Sequence, residues 1–217
     1  MAVALGSTDG WLLLLPVVAY LCGSVPFGFL AAKIFRGVDI RETGSRNIGA
    51  TNAARALGFK YFPLLVLLDL AKGFLPTLTA RMLAPAGGVH DPGLLAIGTG
   101  VAAVLGHVFP LYLRFKGGKA VATGGGVFLA LSPWAVLIAG AAWGLVFGLS
   151  RYVSLASMTA AVALPVSVWA LTPDPLAAGL PLAAFATVAG LFVILLHRSN
   201  IRRLLSGTEN RIGRTRE

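Results

Sequence analysis

The sequence predicts an all-α polytopic membrane protein with seven transmembrane helices, its N-terminus outside and its C-terminus in the cytoplasm. The first reason is composition: of 217 residues, 57% are hydrophobic and 12% are charged, and the mean hydropathy is +0.82. Soluble domains have about 25% charged residues. The second reason is a series of long apolar runs, and the third is the uneven placement of positive charge. One domain, 1–217, is expected.

The apolar runs are the candidate membrane spans. Each reaches at least the roughly 20 residues that a helix needs to cross a bilayer, and a lipid-facing backbone must satisfy its own hydrogen bonds. The runs cover residues 10–32, 61–80, 92–113, 120–150, 152–173 and 175–196. The second run contains Asp69 and Lys72, whose spacing allows an ion pair in the membrane. No Lys or Arg precedes the first run, so a cleavable signal peptide is not expected.

Lys and Arg are concentrated in a few segments that set the expected topology. These segments are 33–60, 114–119 and 197–217. Cytoplasmic loops of membrane proteins are enriched in Lys and Arg, so all three are expected in the cytoplasm. The N-terminus, with Asp9, and the connection near residues 84–92, with Asp91, are expected outside.

The run at 120–150 decides the number of spans. The chain must cross the membrane an even number of times between the cytoplasmic loop at 114–119 and the cytoplasmic tail, and the last two runs account for two crossings. As one helix, the run would be about 46 Å long against a hydrocarbon core of about 30 Å. Pro133 offers a break in its middle. Two short crossings give seven spans, and five spans is the alternative.

The first polar segment on the predicted cytoplasmic side is ETGSRNIGATNAARALG, residues 42–58. Its Gly-Ser pair predicts a turn, and residues 50–57 predict a short helix that ends at a glycine. Helical spacing places Thr51, Asn52 and Arg55 on one face. A helix start with a nearby serine and an arginine one turn on favours an anion site. A basic loop that touches anionic lipid headgroups is the alternative.

The second polar segment is GHVFPLYLRFKGGKAVATGGG, residues 106–126. Its loop consists of Lys116, Gly117, Gly118 and Lys119. Glycines let a backbone approach a ligand closely, and a helix expected from Ala120 onward would point N–H groups at the loop. The nucleotide-binding pattern GxxxxGK(S/T) is absent, so we expect phosphate binding without nucleotide hydrolysis. Close helix packing is the alternative for residues 124–126, and a satisfied buried polar side chain is the alternative for His107.

The third polar segment is HRSNIRRLLSGTENR, residues 197–211, which follows the last apolar run. His197 and Asn200 are three residues apart and share a helical face. Apolar and arginine residues interleave over 201–205, which is typical of an interfacial helix. The arginines suit the cytoplasmic end of a span, whereas a histidine and an asparagine in register do not serve that purpose as well.

One further stretch, RYVSLAS at residues 151–157, places Ser154 near the same predicted surface. A single active site at the cytoplasmic surface explains why all these segments share one face. An anion transporter is the main alternative and predicts charges near the bilayer midplane. A structural protein that binds anionic lipid is the other, and predicts weak, salt-graded effects of changing Lys119 or His197. CxxC and HExxH patterns are absent, so a zinc site is not expected. Cys22, the one cysteine, cannot form an intrachain disulfide and is interpreted as a packing residue.

The three polar segments resemble the three motifs of the acyl-phosphate-dependent glycerol-3-phosphate acyltransferases of bacteria. The matching stretches are GSRNIGATNAARALG, GHVFPLYLRFKGGKAVAT and HRSNIRRLLSGTE, with RYVSLAS and LDLAKGFLP in support, and the likeness covers residues 23–211. Arg46 departs from the family, which commonly has a glycine there. A His-x4-Asp pair, the base of the other large acyltransferase class, is absent from the sequence.

The resemblance implies a bacterial inner-membrane enzyme whose active site faces the cytoplasm. It implies transfer of a fatty acyl group from acyl phosphate to the 1-hydroxyl of sn-glycerol 3-phosphate, giving lysophosphatidic acid and inorganic phosphate in the first acylation step of phospholipid biosynthesis. No metal or other cofactor and no nucleic acid is expected, whereas membrane lipids and the enzyme that forms the acyl phosphate are expected partners.

The resemblance also implies the site residues. Lys119, His197 and Asn200 are the implied catalytic residues. The implied substrate-binding and phosphate-binding residues are Ser45, Asn47, Thr51, Asn52, Arg55, Lys116, Gly117, Gly118 and Ser154. The proton of the attacking hydroxyl is taken either by His197 or by the substrate's own phosphate, whose second pKa is about 6.

Overall fold

The computed structural model describes residues 10–83 and 92–213, and in this part of the chain the regular structure is helical. The α-helices are α1 (Leu14–Ser24), α2 (Phe27–Arg36), α3 (Ala50–Leu57), α4 (Phe62–Leu83), α5 (Pro92–Val108), α6 (Val121–Leu131), α7 (Pro133–Ser150), α8 (Val153–Leu171), α9 (Leu180–Leu196) and α10 (Arg198–Leu205). The expected outer positions of Asp9 and Asp91, and tail residues 214–217, lie outside the described residues. The all-α prediction is confirmed.

The described residues form two compact units, one up to residue 131 with α1–α6 and one from residue 132 onward with α7–α10. Five helical stretches of the described residues are long and apolar enough to cross a membrane, namely Leu14–Arg36, Phe59–Leu83, Gly93–Leu113, Pro133–Ser150 and Val153–Leu171. The pair α9 and α10, bent by 55°, adds a sixth if it counts as one span, and α6 is a shorter apolar helix. The seven spans, the orientation of the termini and the single domain stay predictions.

The predicted break within residues 120–150 is present. Helix α6 ends at Leu131, and α7 begins at Pro133 after Ser132. Proline has no N–H to donate and is tolerated in the first turn of a helix. The long apolar run therefore forms two helices, as its length indicated.

Glycines bring the helices of the first unit close together. At several of them a Cβ atom would overlap a backbone carbonyl of a neighbouring helix, namely at Gly23, Gly73, Gly106 and Gly126. Helices in membranes approach closely where their contact residues are small. Of the 124–126 run, Gly126 packs against Leu70 of α4, whereas Gly124 and Gly125 face open space. The packing interpretation thus holds for one of the three glycines.

A buried ion pair ties α4 to the break between α1 and α2. Lys72 Nζ lies 2.8 Å from Asp69 Oδ1 and donates a hydrogen bond to the Val25 carbonyl at 2.9 Å. Pro26, which has no N–H, follows that carbonyl at the break. The ion pair that the spacing of Asp69 and Lys72 allows is present, and the lysine also satisfies a backbone acceptor.

Indole hydrogen bonds link the helices of the second unit. Trp143 Nε1 on α7 donates to Ser157 Oγ on α8 at 3.3 Å, and Trp169 Nε1 on α8 donates to Thr187 Oγ1 on α9 at 3.0 Å. The outer faces are apolar: Leu149, for example, is 76% exposed. Polar groups inside and apolar groups outside are the arrangement that a lipid environment favours.

Candidate functional site

Asn52 holds the loop that connects α2 and α3. Its Oδ1 accepts a hydrogen bond from the Ser45 N–H at 3.0 Å, and its Nδ2 donates to the carbonyls of Ile40 at 2.7 Å and Asn47 at 2.9 Å. The side chain is buried within the first unit. Because these contacts engage both ends of the amide, Asn52 fixes the shape of the loop. Its predicted contact with a phosphate stays a prediction.

The loop makes a left-handed turn around Ser45. Gly44 has φ +59° and Arg46 has φ +57°, so the predicted turn is confirmed. A residue with a side chain pays a steric cost at positive φ, and glycine does not. This backbone explains why a glycine suits the position that Arg46 occupies. Asn47 Oδ1 accepts a hydrogen bond from the Gly49 N–H at 2.9 Å just before α3.

Helix α3 matches the predicted residues 50–57 and ends at Gly58, whose N–H donates to the Ala54 carbonyl at 2.8 Å. Thr51 and Arg55 are half-buried on this helix, one turn apart. They therefore lie on one face, as their spacing indicated. A direct role for either side chain in binding phosphate stays a prediction.

Arg41 forms an ion pair with Asp39 at the start of the same loop. Its Nε donates to Asp39 Oδ1 at 2.9 Å, and its Nη2 donates to Asp39 Oδ2 at 2.6 Å. These side-chain hydrogen bonds, followed by one from the Arg41 backbone N–H, lower the pKa of the Asp39 carboxyl to about 2. The carboxylate stays charged at neutral pH, so the Arg41 charge is balanced locally.

The glycine loop before α6 lies against the end of α5. Gly118 N–H donates to the His107 carbonyl at 3.0 Å, and Ala120, with φ +55°, turns the chain into α6 at Val121. The predicted helix start is thus correct to within one residue. Lys119 is half-buried, whereas Lys116 is exposed.

Polar side chains are buried beneath this loop. His107 Nδ1 lies 3.1 Å from Thr123 Oγ1 and 3.9 Å from Asp69 Oδ1, and all three side chains are buried. His107 is therefore a satisfied polar side chain inside the helix bundle, as the alternative interpretation had it. Thr123 escaped the sequence reasoning because one threonine in a glycine-rich helix start gives no signal of its own.

In the second unit, Glu209 joins two of the predicted site residues. Its Oε1 accepts hydrogen bonds from Ser154 Oγ at 2.9 Å and from Asn200 Nδ2 at 2.7 Å, while its Oε2 accepts from Arg203 Nε at 2.7 Å. The carboxylate is buried, with 8% of its surface exposed. Ser154 on α8 and Asn200 on α10 are thereby brought together, and each is oriented by the same charge.

Glu209 is a functional candidate that the sequence reasoning missed. It follows Gly207, whose φ of +66° turns the chain back after α10, and its own N–H donates to the Arg203 carbonyl at 3.1 Å. The available signal was a lone acidic residue just after a glycine within an arginine-rich segment. A buried carboxylate needs positive or hydrogen-bonding partners, which that segment supplies.

His197 sits at the bend between α9 and α10. Its Nδ1 lies 2.8 Å from the Val193 carbonyl, and the ring is buried with 3% exposed. A carbonyl only accepts hydrogen bonds, so Nδ1 carries the proton. In the neutral ring Nε2 is then the basic nitrogen. The hydrogen bond therefore fixes the orientation of the imidazole at the bend, and its role as a general base stays a prediction.

The sequence profile of a family described as Glycerol-3-phosphate acyltransferase matches residues 13–207 of the chain. A Glycerol-3-phosphate acyltransferase of Geobacter sulfurreducens is 49% identical over 199 residues, which cover 92% of this chain and 96% of that protein. The resemblance stated from the motifs is confirmed.

Solved structures agree with the sequence comparison. A crystal structure of PlsY (YgiH), an integral membrane glycerol 3-phosphate acyltransferase, in its glycerol 3-phosphate form is 43% identical, with a TM-score of 0.83 and coverage of 94% of this chain and 96% of that chain. The lysophosphatidic acid form of that protein gives a TM-score of 0.81 with the same identity and coverage. The helices described above form an integral membrane fold of this kind.

Proposed function

The chain belongs to the glycerol-3-phosphate acyltransferase family, and from this premise we propose the reaction that it catalyses. It transfers a fatty acyl group from acyl phosphate to the 1-hydroxyl of sn-glycerol 3-phosphate, giving lysophosphatidic acid and inorganic phosphate. The observation that carries the proposal is the likeness along nearly the full length of both chains. The donor and the product are proposed from the motif resemblance.

The donor phosphate is assigned to the loop of residues 116–119. Lys119 and the backbone N–H groups of the loop stabilise the charge on acyl phosphate and on the phosphate that leaves. Arg55 binds a phosphate dianion through the bidentate hydrogen bonds that a guanidinium can donate. Acyl phosphate is already activated, so no covalent acyl-enzyme is needed, and positioning supplies much of the rate.

The acceptor is assigned to the α9–α10 bend. The 1-hydroxyl oxygen of glycerol 3-phosphate attacks the acyl carbon, the bond from that carbon to the phosphate oxygen breaks, and inorganic phosphate leaves with the electron pair. The hydroxyl proton goes to His197 Nε2, a role that the donation from Nδ1 to Val193 supports. The alternative is transfer to the acceptor's own phosphate. Asn200, held by Glu209, positions the acceptor.

The decisive assay supplies the purified protein in detergent with glycerol 3-phosphate and palmitoyl phosphate and follows inorganic phosphate. We expect acceptor-dependent phosphate release and a lysophosphatidic acid product by mass spectrometry. Palmitoyl-CoA in place of palmitoyl phosphate is expected to give no product. A folded protein that releases no phosphate with any chain length would end this proposal.

Two substitutions test the assigned roles. Lys119→Met and His197→Asn are expected to lower kcat/KM by at least about a hundredfold, the scale of removing a transition-state donor or a general base. Lys60→Met and Ser199→Ala, at exposed positions outside the assigned site, are the matched controls and should keep near wild-type rates. Equal rates for the test and control variants would remove Lys119 and His197 from the mechanism.

The location of the protein is proposed as the bacterial inner membrane, with seven spans and the site facing the cytoplasm. The clustering of Lys and Arg between 33 and 60 supports this orientation. A cysteine placed at exposed Glu42 in a Cys22→Ala background should react with a membrane-impermeant maleimide only after cells are lysed. Labelling in intact cells would show that this loop lies outside the cytoplasm, contrary to the proposed orientation.

A further inference from the structure

The imidazole of His107 lies directly beneath the glycine loop. A Cβ atom added at Gly118 would overlap His107 Nε2, and its next neighbours would be the Cδ2 and Cε1 atoms of the same ring, both at 3.0 Å. The backbone of Gly118 is bonded to the same residue, because its N–H donates to the His107 carbonyl. One residue of α5 therefore supports the loop through both its ring and its carbonyl.

The two glycines of the loop differ in what excludes a side chain. At Gly118 the three atoms nearest to an added Cβ belong to the His107 ring, and the φ of Gly118 is not in the left-handed region. At Gly117 a Cβ would overlap the backbone carbonyls of His107 and Val108. Shortening the His107 side chain thus makes room at Gly118 and makes none at Gly117.

The His107 ring is itself held by buried side chains of α4 and α6. His107 Nδ1 lies 3.1 Å from Thr123 Oγ1 in the first turn of α6, and 3.9 Å from Asp69 Oδ1. Asp69 is in turn fixed by Lys72, whose Nζ also donates to the Val25 carbonyl. These buried contacts connect the break between α1 and α2, through side chains of α4 and α5, to the first turn of α6, which follows the loop.

We infer that His107 is a positioning residue that sets where the loop of residues 116–119 lies, and that Gly118 is required because this ring occupies the space of a Cβ. The inference rests on the proposed function, in which that loop holds a substrate phosphate. His107 acts through the loop and touches no reacting atom.

Kinetics separate positioning from simple support of the fold. In His107→Asn the amide reaches the place of Nδ1 and keeps a partner for Thr123, but the Nε2 edge of the ring is gone. A displaced loop should raise the KM of the substrate whose phosphate it holds by about tenfold, since small misplacements cost up to about a hundredfold in rate. We expect this for palmitoyl phosphate; a rise for glycerol 3-phosphate instead supports the positioning role and assigns the loop to the acceptor. Unchanged KM values for both substrates overturn it.

Complementation of size is the sharper test. Gly118→Ala should lower kcat/KM by about a hundredfold, and adding His107→Asn should recover at least about tenfold of that loss, since neighbours in contact are strongly non-additive. The matched pair Gly117→Ala with and without His107→Asn should show no recovery. Thermal unfolding confirms that each variant is folded, and absence of recovery at Gly118 in folded protein overturns the inference. An inactive wild-type protein would instead refute the proposed function.

Discussion

Replacing Glu209 by glutamine tests whether one buried carboxylate organises the second unit. The change keeps the size of the side chain but removes its charge. Glutamine Oε1 can still accept from Ser154 and Asn200, but its NH2 group then faces Arg203 Nε–H, so two donors meet where a donor met an acceptor. The hydrogen bonds that hold Ser154 and Asn200 in position are therefore weakened in this variant.

The cost follows from the three contacts. A hydrogen bond to a charged group contributes about 1.5–3 kcal/mol, and the one to Arg203 counts at the lower end because that side chain is 30% exposed. With the weakening at the other two donors, the loss is about 2–3 kcal/mol. At about 2–4 °C per kcal/mol for a chain of this size, the unfolding temperature falls by about 4–12 °C. Glu209→Ala leaves three donors without an acceptor and should cost about 3–5 kcal/mol.

Thermal unfolding in detergent measures the loss of stability, and the phosphate-release assay measures the effect on turnover. Glu42→Gln, the same chemical change at an exposed glutamate, is the control and should leave both unchanged. If Glu209→Gln unfolds and turns over like the wild-type protein while Asn200→Ala is inactive, Asn200 does not depend on Glu209 and the reasoning is wrong.

Three further tests, each with a comparison variant, probe the first unit by thermal unfolding. Lys72→Met should lower the free energy of unfolding by about 3–5 kcal/mol because it leaves Asp69 buried without its partner. Adding Asp69→Leu should restore part of that stability. Equal losses of stability in the single and the double variant would contradict this reasoning. Arg46→Gly should raise stability by up to about 1 kcal/mol by relieving positive φ, and Arg46→Ala should not. Gly126→Ala should separate α4 and α6 and lower stability, whereas Gly124→Ala, which meets open space, should gain up to about 1 kcal/mol in helix propensity. The reverse order would contradict the packing described here.

The helices and the turn around Ser45 could be predicted because each depends on local sequence. Apolar length and a proline are enough to place α6 and α7, and a glycine after residues 50–57 is enough to end α3. The motif resemblance named the family, because its residues are specific in both type and spacing.

The roles of individual side chains could not be predicted in the same way. Asn52 looked like a phosphate ligand, yet its amide is engaged by backbone groups that lie five to twelve residues away. Glu209 and Thr123 matter through partners 55 and 16 residues distant. Such contacts depend on how the chain folds back, which neither periodicity nor charge placement reports.

The hydrogen bonds that Asn52 makes within the α2–α3 loop would also affect the thermodynamics of the anion binding predicted for this loop from its sequence. A loop whose shape is already fixed loses little conformational entropy when it binds a ligand, so less of the binding free energy is lost to ordering it. Amide hydrogen exchange should already be slow at the Ser45 N–H, which Asn52 Oδ1 accepts, in protein without substrate. Adding glycerol 3-phosphate should then change that rate little. Asn52→Ala should make the amide exchange quickly and should make binding more costly in entropy while leaving the charge of the loop unchanged.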